Sequence, residues 1–243
     1  MIDFGFMWEA LKILIAGLPL TLNLAAASIL AGGLFGLLIT IFAQTGGRPA
    51  MVIANGYVFV FRGSPLLVQI FLIYYGLGQF RAELQSIGLW QFVREPYWCA
   101  VLALSLNTAA YSSEIFRGAF QSVAAQQVEA ARASGMSGPL LFRRIIFPIA
   151  LRNALPAYGN EIILMIKATA LASIITLMEV TGLASKLIAE TFRAVEVFVV
   201  AGGIYLALNF VLTSILSWVE HRLTPHLRPR PDPLPAKDKP LHV

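Results

Sequence analysis

Almost everything that covalent chemistry draws on is scarce in this sequence. It has one cysteine, Cys99, so no disulfide can form within the chain, and its three histidines, His221, His226 and His242, all stand toward the C-terminal end. Neither a metal cluster nor a thiol or imidazole catalytic centre can be assembled from that supply. Charge is scarce too: Asp, Glu, Lys and Arg make up 13% of the residues, against about 25% in ordinary soluble domains. No Gly-x-x-x-x-Gly-Lys-Ser/Thr segment occurs, which removes the usual phosphate-cradling loop and ATP binding by that route.

What is present in quantity is apolar surface. Hydrophobic residues make up 58% of the 243, and the mean hydropathy is +0.74, the content of a chain dissolved in lipid. Residues 13–47, 63–80, 96–113 and 197–219 carry no charge. Each run approaches or exceeds the ~18 to 20 residues that cross a bilayer as helix. A fifth stretch, at about 155–178, is apolar except for Glu161 and Lys167. The expected fold is therefore all-α and integral to the membrane, with five transmembrane helices. The first run follows Lys12 as a secretory signal would, but it is longer than the roughly 7 to 15 apolar residues of a signal core and is read as retained.

Arginine and lysine placement sets the expected orientation. With five crossings, one side of the membrane collects Arg48, Arg117, Arg132, Arg143, Arg144, Arg152, Arg222, Arg228, Arg230, Lys237 and Lys239. The other side holds Lys12, Arg81, Arg94, Lys186 and Arg193, while Arg62 and Lys167 fall within or beside apolar segments. Positive-inside bias puts the N-terminus outside and the C-terminus in the cytoplasm of an inner-membrane protein. The net charge of +5 then reads as topology and attraction to anionic lipid, not as a nucleic-acid surface.

Three parts follow. Residues 1–12 form a periplasmic lead, 13–219 the transmembrane domain, with a cytoplasmic loop at about 117–152, and 220–243 a cytoplasmic tail whose prolines exclude a packed fold. Within the domain, Ala25, Ala26, Ala27, Gly32, Gly33 and Gly36 permit close helix packing. Residues 61–65 should break or kink the 51–80 region. An interfacial helix is expected around 84–92, where Trp90 and Phe92 suit the headgroup layer, and an amphipathic external helix over 179–196.

The cytoplasmic loop holds the most informative segment. Residues 126–134 are rich in helix formers, Gly135 can end a helix in the left-handed conformation, and Pro148 is expected to stop the next helix from running on smoothly. Glu129-Ala130-Ala131, three residues, Gly135, nine residues, then Ile145-Ile146-Phe147-Pro148 resembles the EAA loop of bacterial ATP-binding-cassette importer permeases, with Phe147 where that pattern has Leu. Two further blocks, Phe61 to Gln69 and Leu106 to Ala119, precede it, and a third, Leu155 to Glu161, follows. Together they resemble the polar amino-acid permease family over roughly 21–218, and within it the M-type permeases of histidine/lysine/arginine/ornithine importers and of their octopine and nopaline relatives.

The resemblance implies the type I importer permease fold, of the MetI-like kind. It implies an import complex with a second homologous permease subunit, two ATP-binding subunits and a periplasmic solute-binding protein, moving basic amino acids or opines inward. The chain itself would bind no cofactor; ATP and Mg would be used by the partner ATPase. Glu129, Ala130, Ala131 and Gly135 are the implied ATPase contact, the alanines allowing close approach and the glycine supplying the turn. A passive channel or membrane scaffold is the rival from another class, and an intramembrane hydrolase is opposed by the lack of histidine or paired carboxylates in the crossings.

Charges inside an apolar helix cost about 2.5 to 3.5 kcal/mol on insertion scales, so Glu161 and Lys167 are the expected transport-site residues. Six residues at about 100° each separate them by roughly 240°, which excludes a simple ion pair between them. Glu161 is expected to meet the substrate's cationic group, with structural hydrogen bonding near the cytoplasmic helix start as the alternative. Lys167, expected near the midplane, would either favour substrates with extra carboxylates, as opines have, or point at helix-end carbonyls. Arg62, Ser64 and Asn160 complete the substrate set, with a structural kink as the alternative for the first two. Asn107, Thr108 and Glu114 read as interhelical hydrogen-bonding groups.

Overall fold

A computed structural model describes residues 3–223, and every regular element among them is helical. The expected disorder of the tail beyond Leu223 lies outside the described residues, as do His226 and His242. The chain opens with α1 (Phe4–Ile15), and α2 (Leu18–Thr45) follows. Then come α3 (Gly47–Gly63) and α4 (Leu66–Phe71), the latter continued by a π turn over Leu72–Gly76. Two short pieces, α5 (Arg81–Ser86) and α6 (Trp90–Val93), stand where one interfacial helix was expected, because Gly88 in the left-handed region separates them.

The second half begins with α7 (Pro96–Gln121) and the short α8 (Ala125–Ala133). Next are α9 (Gly138–Leu141), a π turn over Phe142–Ile146, α10 (Phe147–Ala168) and a 3-10 turn over Thr169–Ile175. These four run on as a single span of 38 residues from Gly138 to Ile175. Pro148 thus does not interrupt the helix as expected. It sits in the first turn of α10 just after the wide π turn, where a missing N–H and a bulky ring are accommodated. The bundle closes with α11 (Val180–Thr191) and α12 (Ala194–Leu223).

Three helical runs, Leu18–Thr45, Gly138–Ile175 and Ala194–Leu223, are long and apolar enough to cross a membrane, and the bent pair α3 and α4 would be a fourth. α7, one of the five expected crossings, is long enough but not apolar enough to join them. Ser105, Asn107, Thr108, Ser112 and Ser113 explain that: all are turned into the bundle, where polar side chains join helices instead of facing lipid.

α2 lies along α7 for most of its length, and α10 packs on α7 from another side. Glycines make this possible. A Cβ on Gly32 would lie 2.7 Å from Thr108 Cβ, one on Gly36 2.6 Å from Ser112 Cβ, and one on Gly33 2.1 Å from Tyr158 Oη, so no larger residue fits this seam. Leu24, Ile70, Cys99, Ala100, Ala103, Ala172 and Ile175 fill the centre.

The first described residues form a packed helix. Asp3 caps α1 by accepting from the Phe6 amide (3.1 Å), and Ala10 and Leu14 are buried against α11 and α12 beside Val180, Ala184 and Val197. Hydropathy alone misses this helix because Asp3, Glu9 and Lys12 dilute it, yet they all lie on the exposed face.

Candidate functional site

Two polar features stand out from the apolar bundle. The first is α8. Its helix formers make about two and a half turns, and the chain then reverses at Gly135, whose φ of +82° places it in the left-handed region. The Met136 amide donates to Ala131 O (3.0 Å) and the Gly135 amide to Arg132 O (2.9 Å), a Schellman closure that satisfies the terminal carbonyls. Any side chain at 135 would be strained, although nothing stands near enough to clash with a Cβ. Ala131 is buried, whereas Glu129 and Ala130 face outward. α8 rests on α9 and the Phe142–Ile146 turn, so it touches the start of the long Gly138–Ile175 run.

The second is a cavity of about 460 Å³ between α3, α7 and α10. It exists because the chain breaks at Ser64 and Pro65: α3 and α4 meet at 103°, since Pro65 cannot donate to the helix ladder. The carbonyls freed there are taken up by side chains. Gln69 Nε2 reaches Phe61 O and Ser64 Oγ at 2.8 Å each, and Asn107 Nδ2 reaches Phe61 O (3.2 Å) and Gln69 Oε1 (3.1 Å). Ser64 Oγ in turn donates to Val60 O (2.7 Å). Irregular backbone inside a membrane is tolerated in this way, satisfied by protein and turned toward a cavity.

Arg62, Ser64 and Glu161 all line this cavity, joined by Asn107 and Tyr111. The Arg62 guanidinium stacks on the Tyr111 ring, 4.9 Å from its centroid. Glu161 is 6% exposed. No salt bridge among the described residues includes it, and Thr108 Oγ1 finds no partner at hydrogen-bonding distance. A buried carboxylate left this open can receive a cation.

Asn160 and Lys167 are not brought into the cavity. Both are exposed, one i,i+7 from the other on the outer face of α10, and Lys167 falls in its last turn. The helical run continues past Lys167 through the Thr169–Ile175 turn. Tyr111 and Gln69 were missed by sequence reasoning. Each is uncharged and sits in an apolar run; only the break at Pro65, which requires a donor for its orphan carbonyls, hints at Gln69.

Comparison with known proteins decides what kind of chain this is. Residues 32–225 match the family model of the binding-protein-dependent transport system inner membrane component. The chain belongs to that permease family. It is 53% identical over 228 residues to the nopaline transport system permease NocM of Agrobacterium fabrum, covering 94% of this chain and 95% of the relative. It is 51% identical to the octopine transport system permease OccM of Rhizobium meliloti, covering 98% of each, and 42% identical to the arginine ABC transporter permease ArtM of Escherichia coli, covering 89% and 96%. Among solved structures, a crystal structure of an amino acid ABC transporter with histidines aligns at a TM-score of 0.81 and 35% identity, covering 91% of this chain and 99% of that one. An inward-facing methionine ABC transporter aligns at 0.70 and 17% identity, a likeness of fold alone. The permease is accordingly an inner-membrane transport subunit and not an enzyme, as the resemblance of its sequence blocks implied.

A second buried carboxylate of the permease contrasts with Glu161. Glu179, expected as one charge of a solvated external helix, is fully buried at the N-cap of α11. It accepts from the Gly182 amide (2.8 Å) and Tyr205 Oη (2.7 Å), with Thr21 Oγ1 at 3.4 Å. Gly17 makes room for it: a Cβ there would lie 2.7 Å from the Glu179 carbonyl carbon.

Proposed function

We propose that the permease is one of two homologous membrane subunits of an ATP-driven importer for arginine-type amino acids or opines. The complete assembly holds two ATP-binding subunits, which use ATP and Mg, and a periplasmic solute-binding protein. Five crossings, formed by α2, α3 with α4, α7, the Gly138–Ile175 run and α12, place the N-terminus outside and the C-terminus in the cytoplasm. Arg132, Arg143, Arg144 and Arg152 support that orientation, since they cluster at the α8 end of the bundle.

One observation carries the reading: the exposed helix α8 rests on the start of the same 38-residue run that carries Glu161 to the cavity. A rigid helix of that length moves as a lever. Glu129, Ala130, Ala131 and Gly135 form the dock; an ATPase that grips them shifts the cavity wall. Nopaline, octopine and arginine, the ligands in the relatives' names, share a guanidinium and a carboxylate. Glu161 receives the first, and Arg62 the second. Ser64 holds the break open. Asn160 and Lys167, on the uncovered face of α10, extend the site toward the second permease chain, Lys167 favouring ligands with an extra carboxylate.

The test is uptake of labelled arginine and octopine by the complex reconstituted with its ATPase, partner permease and loaded binding protein. Wild type is expected to accumulate at least one of them with ATP and none without. Gly135→Asp should abolish uptake while the two permease chains still insert and pair. Uptake without ATP, or normal uptake by Gly135→Asp, would refute the lever.

A further inference from the structure

A second cavity, of about 650 Å³, lies one helical turn further along the same seam. Tyr111 lines the first cavity and Glu114 the second, three residues on along α7; Arg62 lines the first and Val58 and Phe59 the second, one turn back along α3. The Arg62 guanidinium, stacked on Tyr111, stands at the end of the first lining that is nearest the second. Gln121, the last residue of α7, also lines the second cavity, so this space opens at the end of the bundle that bears α8.

Glu114 is already engaged. Arg117 Nε donates to its Oε1 (2.9 Å), while Arg117 Nη1 reaches Gln121 Oε1 (3.2 Å). Carboxylates and guanidiniums therefore alternate along the seam: Glu161, Arg62, Glu114, Arg117. A bare cation leaving Glu161 for an apolar passage would face a large desolvation cost. An alternating series lowers that barrier, because at Glu114 an incoming guanidinium exchanges places with the tethered Arg117 and that carboxylate stays paired throughout. Arg117 has Gln121 to swing toward when it yields Glu114.

Resting on the importer reading above, we propose that Glu114 is a second station for the cationic group of the substrate, between the Glu161 cavity and the α8 end of the bundle, and that Arg62 on Tyr111 is the exchangeable gate between the two. The ligand class is a guanidinium or alkylammonium amino acid.

The decisive measurement is equilibrium binding of labelled arginine to the nucleotide-free complex in nanodiscs, with ATP-driven uptake measured in parallel. Glu114→Gln should lower the bound arginine by one per copy of this chain, and slow uptake at least fivefold. The concentration of loaded binding protein that half-stimulates ATP hydrolysis should stay within twofold, because capture precedes this station. Asn55→Lys, which places a tethered ammonium in the second cavity without removing any acid, should displace the same arginine, and Glu114→Asp should restore it. Unchanged binding in both Glu114→Gln and Asn55→Lys would overturn the proposal and leave the Glu114–Arg117 pair as a helix brace. A wild-type complex that takes up neither arginine nor octopine would instead overturn the importer reading itself.

Discussion

Glu161 and Glu179 are buried to nearly the same degree in the same bundle, yet they are opposites. Glu179 is met by a backbone amide, a tyrosine hydroxyl and a threonine hydroxyl contributed by three helices, so its negative charge is spent on holding α2, α11 and α12 together. Glu161 faces a cavity in which no hydrogen bond or salt bridge among the described residues reaches it, with an arginine stacked on a neighbouring ring. A buried charge that is fully hydrogen-bonded is architecture; one left open in a cavity is a vacancy for a ligand. Burial alone does not separate the two. Only the count of partners does.

Removing Glu179 is the harshest test of this contrast. Glu179→Ala deletes a helix cap, worth about 1 kcal/mol, leaves the Gly182 amide without an acceptor and leaves Tyr205 Oη with Thr181 Oγ1 alone, for a total of about 2 to 3 kcal/mol. The expected result is a large drop in the thermal midpoint and yield of the purified complex, with Glu179→Gln recovering much of it. A complex as stable as wild type would erase the distinction from this side.

Glu161→Gln probes the other side. It breaks no hydrogen bond or salt bridge, so the thermal midpoint should move by less than about 1 kcal/mol equivalent, while arginine uptake should fall tenfold or more. Loss of stability with retained uptake would reverse the two roles.

Asp3 offers the mildest comparison, a carboxylate that is satisfied but exposed. The Phe6 amide first and the Arg193 guanidinium second hold its carboxyl below the usual aspartate range. A depressed folded value means that the cap contributes fully above an unfolded value of about 4 and loses its contribution as the pH falls through the folded one. The protection factors of the α1 amides should therefore fall as the pH drops below about 4, with those of α2 unaffected, and Asp3→Asn should flatten that dependence.

Much of this could be read in advance, and for local reasons. A run without charge must be helical to cross lipid, and Gly135 after a stretch of helix formers marks a left-handed cap, which is where α8 ends. Glu161 stood out because an acid in an apolar stretch is costly wherever it lies. Glu179 did not, because Lys186, Glu190, Arg193 and Glu196 around it read as a solvated face, and its partners are 26 and 158 residues distant. Pro148 misled in the same way: its effect depends on the turn before it, and a π turn absorbed the ring that would have broken a tighter helix. α1 was hidden by three charges that share its exposed side.

Sequence by itself determined that this chain lives in a membrane as helices, that a small capped helix interrupts them, and to which permease family it belongs. These follow from composition and near-neighbour spacing, which act wherever the chain goes. The tertiary structure alone decided which buried acid is a brace and which is open, and that Arg62 stacks on Tyr111 in the cavity of the open one. Those depend on contacts between residues far apart in the chain, and no local pattern encodes how many partners a side chain will find once the helices have packed.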